Sequence, residues 1–232
     1  MARSIAVLLV AFAAVAFPAP HLLADFVPPT GLAPGSQYQL IFVTADLHNA
    51  TSFDIGVYNT FVTNEAALNP SLPSTTWTAV ASTSTPTTNA NANAPSGTLP
   101  VYDTAGEKVT AAGVSIYTGA LEHIVEFDQF GAFASAAQAN NVWTGSDFQG
   151  NAISGATLGG SGNAEVGQLA LDATWLQFGT RPKVAEVTFS RPFYALSGAI
   201  TVPVPEPATL TLLGSALLLF AAHRCLRWQR HR

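Results

Sequence analysis

The last 29 residues, 204–232, set the terms for everything upstream of them. They run V-P-E-P, then fifteen uncharged residues at 208–222, and after His223 end in R-C-L-R-W-Q-R-H-R. As a helix the uncharged run is about 22 Å long, short of a hydrocarbon core of about 30 Å. Extended to Trp228 it reaches about 31 Å, with Arg224 and Arg227 snorkelling to headgroups and Trp228 in the interfacial belt. Residues 208–228 therefore read as a transmembrane segment and 229–232 as its basic cytoplasmic end. Arg224, Arg227, Arg230 and Arg232 mark the retained side. Pro205 and Pro207 fix φ and remove two backbone donors, so 203–207 is an extended linker just outside the membrane. An ordinary C-terminal anchor needs only the uncharged run and the arginines.

The N-terminus has Arg3, an apolar stretch over 5–17 and then Leu22-Leu23-Ala24 before Asp25. That is the pattern of a secretory signal peptide, 1–24, which implies the Sec translocon and signal peptidase as partners. Cleavage after Ala16 is the alternative. Between the two ends lie residues 25–202, 178 in all, enough for one domain with a real core. This span holds 13 of the 14 acidic residues against four basic ones, Lys108, Arg181, Lys183 and Arg191. Its charge of about −9 excludes nucleic acid as a partner, because phosphate binding needs clustered Lys and Arg. It has no cysteine; Cys225 sits in the tail and reads as a passive helix residue.

Within the exported span, 26–36 is a Pro/Gly-rich lead-in, and 38–44 (Y-Q-L-I-F-V-T) is a buried strand. Ile55, Tyr58, Phe61, Val62 and Leu68 lie at helical spacing and predict a helix over 52–68. Thr51 or Ser52 is its expected cap, with Asp54 in the first turn. Residues 75–81 predict a strand, and 100–103 with 108–110 a strand-turn-strand. The Ser/Thr/Asn/Ala/Pro stretch 82–97 reads as a flexible insert. Segment 121–139 fits strand or helix equally. A short strand into a turn is expected at 142–145 and further strands at 173–178, 184–189 and 193–202, with 149–167 a long Gly-rich loop.

Chemistry-bearing residues are sparse. His123 and Glu126 suit two metal positions on a helical face, but no third ligand stands nearby in sequence and no H-E-x-x-H pattern exists. Asp46 and His48 lack a G-x-S-x-G serine. The loop 155–167 lacks the Lys-Ser/Thr of a phosphate-binding loop. No catalytic residue, metal ligand set or cofactor is therefore assigned. Calcium is the one ion the acidic surface suits, with Asp147 and Asn151, or Asp103 and Glu107, as donors. Trp143 and Trp175 are the candidate ligand contacts, as stacking platforms for a sugar ring; Trp77 is a weaker third. For each of these the alternative reading is core.

Two resemblances add to this. The tail, with Val204, Pro205, Glu206 and Pro207 followed by the apolar run and terminal arginines, closely resembles the PEP-CTERM sorting signal of Gram-negative bacteria. That resemblance implies cleavage near the motif by an exosortase, a membrane-embedded cysteine protease or transpeptidase. The pieces F-V-T-A-D-L-H-N-A-T, T-T-W-T-A-V-A-S-T, P-V-Y-D-T-A-G-E-K-V-T and V-W-T-G-S-D-F-Q-G look like the bacterial endostatin-like branch of the C-type-lectin-like fold. This implies a single α+β domain, strand-rich with one principal helix; a β-sandwich is the structural rival. The Glu-Pro-Asn, Gln-Pro-Asp and Trp-Asn-Asp calcium motifs of carbohydrate-binding members are absent, so no lectin residue is carried over. The resulting expectation is a non-enzymatic surface or extracellular-matrix protein in an exopolysaccharide or biofilm setting, with a glycan- or ligand-binding module as the alternative. A hydrolase using His48 or His123 is a third.

Overall fold

A computed structural model of the chain describes residues 26–84, 87–118, 121–135, 141–159, 162–178 and 184–204. The expected signal peptide 1–24, the expected transmembrane segment 208–228 with its basic end 229–232, and all of the Pro205-Glu206-Pro207 motif lie outside these residues. The elements run β1 (Gln37–Val43), α1 (Ile55–Ala67), β2 (Trp77–Ala79), β3 (Thr83–Ser84), β4 (Thr87–Thr88), α2 (Ala90–Asn93), β5 (Val101–Asp103) and β6 (Lys108–Thr110). After a 3-10 turn at Ile116–Thr118 come β7 (Val142–Trp143), β8 (Asn163–Gly167), a second 3-10 turn at Ala173–Trp175, β9 (Val184–Glu186), β10 (Tyr194–Ser197) and β11 (Ile200–Thr201). The result is a strand-rich α+β domain with one main helix.

β1 organises it. The principal sheet runs β2-β10-β1-β5-β6, with β11 continuing beside the start of β1. β1 is antiparallel to β10 and parallel to β5. Side chains alternate across a strand, and here both faces are covered. Tyr38, Leu40 and Phe42 join Trp77, Tyr58 and Val62 in one core cluster, while Ile41 and Val43 join Val101, Val109, Trp175 and Leu196 in the other. Burial on both sides is why the strand is a continuous apolar run rather than an alternating one. Each fully buried Leu, Ile or Phe of this set contributes about 1.5–3 kcal/mol.

Helix α1 buries a stripe of Tyr58, Val62, Glu65 and Ala66. Its cap is Asp54, whose Oδ1 accepts from the Gly56 N–H at 2.8 Å, so the helix starts later than the Thr51 or Ser52 cap predicted. Leu68, expected in the stripe, is 53% exposed. Pro70, two residues after the C-cap Leu68, cannot continue the helix. The buried Glu65 carboxylate is held by the Asp46 N–H at 3.0 Å and the Gln129 Nε2 at 2.9 Å, and desolvation raises its pKa.

Three further expectations need correction. The 82–97 stretch is built into the fold: Ser82, Thr83, Ala90 and Ala94 are fully buried. Its polar side chains serve as backbone partners, with Ser82 Oγ accepting from Ala90 N and Asn89 Oδ1 from Ala152 N. Within the Gly-rich 149–167 loop, residues 163–167 form β8, paired to both β7 and β9. Residues 173–175 form a 3-10 turn rather than a strand, because the Asp172 carboxylate caps the Thr174 N–H and hydroxyl.

Candidate functional site

Between β1 and α1 the chain makes a bend pinned at several points. The Thr44 N–H donates to Phe193 O, and the Phe193 N–H donates to Thr44 Oγ1. His48 and Arg191 exchange both backbone bonds, at 2.9 and 3.0 Å. The Ala50 N–H donates to Val187 O, and Tyr58 Oη to Ser52 O. This frame lays the His48 imidazole against Phe61, centroids 4.9 Å apart, and edge-on to Tyr58 and Phe193. His48 Nδ1 lies 2.6 Å from Asn49 O. A carbonyl only accepts, so in the neutral ring Nδ1 carries the proton and Nε2 is left as an acceptor. Together with Val57, Thr60 and Asn64 from one face of α1, His48 and Phe61 line an open cavity of about 370 Å³. A smaller depression of about 210 Å³ lies at the far end of α1, between Ala66, Pro70, Leu72 and Trp77.

The second histidine has a different partner from the one its sequence neighbourhood suggests. Asp103, fully buried at the end of β5, accepts from the Ala105 and Glu107 N–H groups through Oδ1, and its Oδ2 lies 3.3 Å from His123 Nδ1. Desolvation pushes the Asp103 carboxyl up to about 6 against the pull of its backbone donors and of His123. His123 Nδ1 is also 3.0 Å from Ile124 O, and its ring stacks on Phe127. Next to it, Lys108 pairs with Glu122 at 2.8 Å on the surface. A hydrolytic relay needs an aspartate hydrogen-bonded to its histidine, whereas Asp103 Oδ2 has no hydrogen-bond partner among the described residues and His123 Nδ1 is bonded to Ile124 O. Among the described residues, no serine, threonine or cysteine side chain is hydrogen-bonded to His48 or His123. No group of three or more His, Cys, Asp or Glu gathers at one point among the described residues.

The two tryptophans chosen from sequence are placed inside. Trp143 is 0% exposed: its Nε1 donates to His48 O, and the Arg191 guanidinium covers its ring at 5.3 Å. Trp175 is 1% exposed and packs edge-on to Tyr194. Neither offers a face to a ligand, because both indoles close the core around β1 and β10. Asp147 closes its own turn, accepting from the Gln149 and Asn151 N–H groups and from Asn151 Nδ2. Asp103 is bound within the 103–107 turn. Of the donors suggested for calcium, the Asp103 and Asp147 carboxylates thus accept from backbone N–H groups of their own turns, and the Asn151 side chain bonds Asp147 and Asn91.

Of the sorting segment, Val204 is described, 66% exposed and beside Gly35. Pro205, Glu206, Pro207, Arg224, Arg227, Arg230 and Arg232 lie outside the described residues. Sequence reasoning missed Val57, Thr60 and Asn64 as cavity residues. Their spacing on one face of α1 was visible, but only the tertiary position of His48 turns that face into a site.

Residues 203–224 match the family described as the PEP-CTERM protein-sorting motif. No curated relative matches the chain by sequence. The match begins one residue after Val202, the last of the described residues with a backbone bond into the fold, whose N–H donates to Ser36 O and whose carbonyl accepts from the Gly35 N–H. The motif supports export, a transient membrane-anchored state and sorting by an exosortase.

Proposed function

We propose that the chain is a non-enzymatic component of the cell surface or extracellular matrix of a Gram-negative bacterium. Sec and signal peptidase deliver it, its tail holds it briefly in the inner membrane, and exosortase processes it at the Pro205-Glu206-Pro207 segment, in an exopolysaccharide or biofilm setting. The observation carrying this is the sorting-motif match, which starts directly after Val202, a residue still bonded to the domain. The basic end with Arg224, Arg227, Arg230 and Arg232 supports retention on the cytoplasmic side until processing. For the domain itself, one helix over a strand-rich body with long irregular connections supports the C-type-lectin-like, endostatin-like reading.

The test is the intact mass of protein recovered from its producer. A mature form beginning near Asp25 and ending within 204–207 is expected, and any added mass identifies what replaced the tail. A form still carrying Arg232 refutes processing and leaves a plain membrane anchor. The cavity beside His48 favours a second reading, a ligand-binding module, because it is concave, partly aromatic and furnished with hydrogen-bonding groups.

A further inference from the structure

We infer that the cavity lined by His48, Val57, Thr60, Phe61 and Asn64 is a binding site for a neutral saccharide ring. The inference rests on the reading of the chain as a matrix protein, and supplies that reading with a ligand class and a place.

The lining decides between ligand chemistries. None of the five side chains is an acid, a lysine or an arginine and the neutral imidazole carries no charge, so the lining holds no fixed charge to offset the desolvation of an ionic ligand. A wholly apolar ligand fits as poorly. It would cover His48 Nε2 and the Asn64 amide, neither of which has a hydrogen-bond partner among the described residues, and would strip them of water. Thr60 Oγ1 spends its proton on Gly56 O at 2.8 Å and presents only lone pairs outward. The site therefore offers an imidazole acceptor, a hydroxyl acceptor and an amide that both donates and accepts, grouped around one half-buried aromatic ring and a valine. A pyranose has the matching form: a C–H face for Phe61 and Val57, and an equator of hydroxyls that donate to nitrogen and oxygen. The volume of about 370 Å³ admits a ring of that size with bridging water.

The site is also held in shape before a ligand arrives. Phe61 is clamped by His48 and Phe193, at 4.9 and 5.8 Å between centroids, and His48 is tied through its own backbone to Arg191 and through Nδ1 to Asn49. Two rings fixed in this way lose little rotamer freedom on binding. The buried indole of Trp143 serves from behind, its Nε1 anchoring the His48 carbonyl at 3.1 Å.

The experiment uses the full chain in a detergent without a sugar headgroup. Saturation-transfer NMR is run against methyl glycosides of glucose, galactose, mannose and rhamnose and against neutral polysaccharide purified from the producer's matrix. A polyuronate and a hydrophobic dye are the contrasting probes. Transfer to the C–H face of at least one neutral glycoside is expected, with at least a fivefold loss of affinity in Asn64→Ala. Asn64 is exposed, so that variant folds as the parent does; Phe61→Leu, which keeps an apolar filler, is expected to abolish ring-face transfer while its far-ultraviolet circular dichroism shows the fold retained. Binding unaffected by both variants, preference for the polyuronate or the dye, or no transfer to any neutral sugar overturns the assignment. Tail processing is read separately by mass, so a processed protein that binds no sugar rejects the site alone. A sugar-binding protein with its tail intact rejects the sorting reading alone.

Discussion

Removing the Ser197 hydroxyl isolates one bond at the centre of the sheet. β10 pairs with β1 through Leu196 opposite Ile41, and β11 resumes at Ile200 opposite Tyr38. Between them the chain bends and Gly198 turns its N–H to Thr76 O, so no backbone carbonyl stands opposite the Leu40 N–H. Ser197 Oγ fills the place, accepting from Leu40 N at 2.7 Å and donating to Gly198 O at 2.8 Å. Leu40 is fully buried and Ser197 is 2% exposed, so water cannot substitute. Ser197→Ala leaves a buried amide unpaired at a cost of about 1–3 kcal/mol. For a domain of this size that lowers the melting temperature by roughly 2–12 °C, at about 2–4 °C per kcal/mol. Urea denaturation should show the midpoint falling with the slope unchanged, since the surface exposed on unfolding is the same. Thr78→Ala removes only a 3.3 Å hydroxyl bond to Leu196 O on the same sheet and serves as the control, with a change below about 0.5 kcal/mol. Equal midpoints for Ser197→Ala and Thr78→Ala would refute the claim that the hydroxyl replaces a ladder bond.

Other perturbations test other joints. Gly159 has φ +67° and lies against the Ser52 carbonyl, with its N–H bonded to Ala50 O at 2.8 Å; Gly159→Ala should cost more than about 2 kcal/mol by thermal melt, whereas Gly155→Ala, strained at φ +78° but with open space around it, should cost about 1–2 kcal/mol. Asn59 ties α1 to β2, its Oδ1 accepting from Ala79 N at 2.9 Å and from Asn93 Nδ2 at 2.9 Å; Asn59→Ala should lower stability by about 1–3 kcal/mol in urea. The Asp103 carboxyl is raised from its ordinary 3.8 to about 6. The folded state therefore holds this proton more tightly than the unfolded chain, and stability is greatest below pH ~3.8 and falls as pH rises toward ~6, by about 3 kcal/mol from this group. Asp103→Asn keeps the acceptor for Ala105 and Glu107 and should flatten that slope in pH-dependent melts. A residual slope of the same sign remains from Glu65 and Asp128, both raised by burial, and an unchanged slope would show that Asp103 does not carry it.

The parts of the fold that could be read from the chain were those where hydrophobicity is dense. The run 38–44 announced a buried strand, and β1 lies there at Gln37–Val43. The 55–68 spacing announced a helix, although its cap fell on Asp54 because the Asp54 carboxylate reaches the Gly56 N–H. The failures share one cause, which is that small polar side chains here do the work of backbone. Ser82, Asn89 and Asn93 knit the 82–97 stretch to β2 and to the loop at 146–152, through bonds to Ala90 N, Ala152 N and Ala79 O and from Ser82 Oγ to Ser146 Oγ. Composition alone cannot separate such a stretch from a disordered one, because the partners that fix it from outside, Ser146 and Ala152, are 64 and 63 residues away from Ser82 and Asn89. The candidate site was half visible. His48 and the spacing of Val57, Phe61 and Asn64 stood in the sequence, but Trp143 and Trp175 drew the ligand reading toward residues that the core needed. Nothing local to Trp143 distinguishes a platform from a buried anchor; its burial depends on Arg191 and His48 arriving from elsewhere in the chain.

The strand order carries a consequence for timing. β1, near the front of the domain, sits between β5 and β10, and β2 touches the sheet only through β10. A chain threaded outward from its N-terminus therefore cannot close this sheet until residues 194–201 have crossed, however long the earlier strands have waited. The sorting segment begins at residue 203 and follows at once. The last strand to be seated and the first residues to meet the bilayer are thus neighbours in the order of emergence. Until β10 pairs, the edges of β1 and β2 that it covers stay open, so the strand that seals them is among the last to emerge.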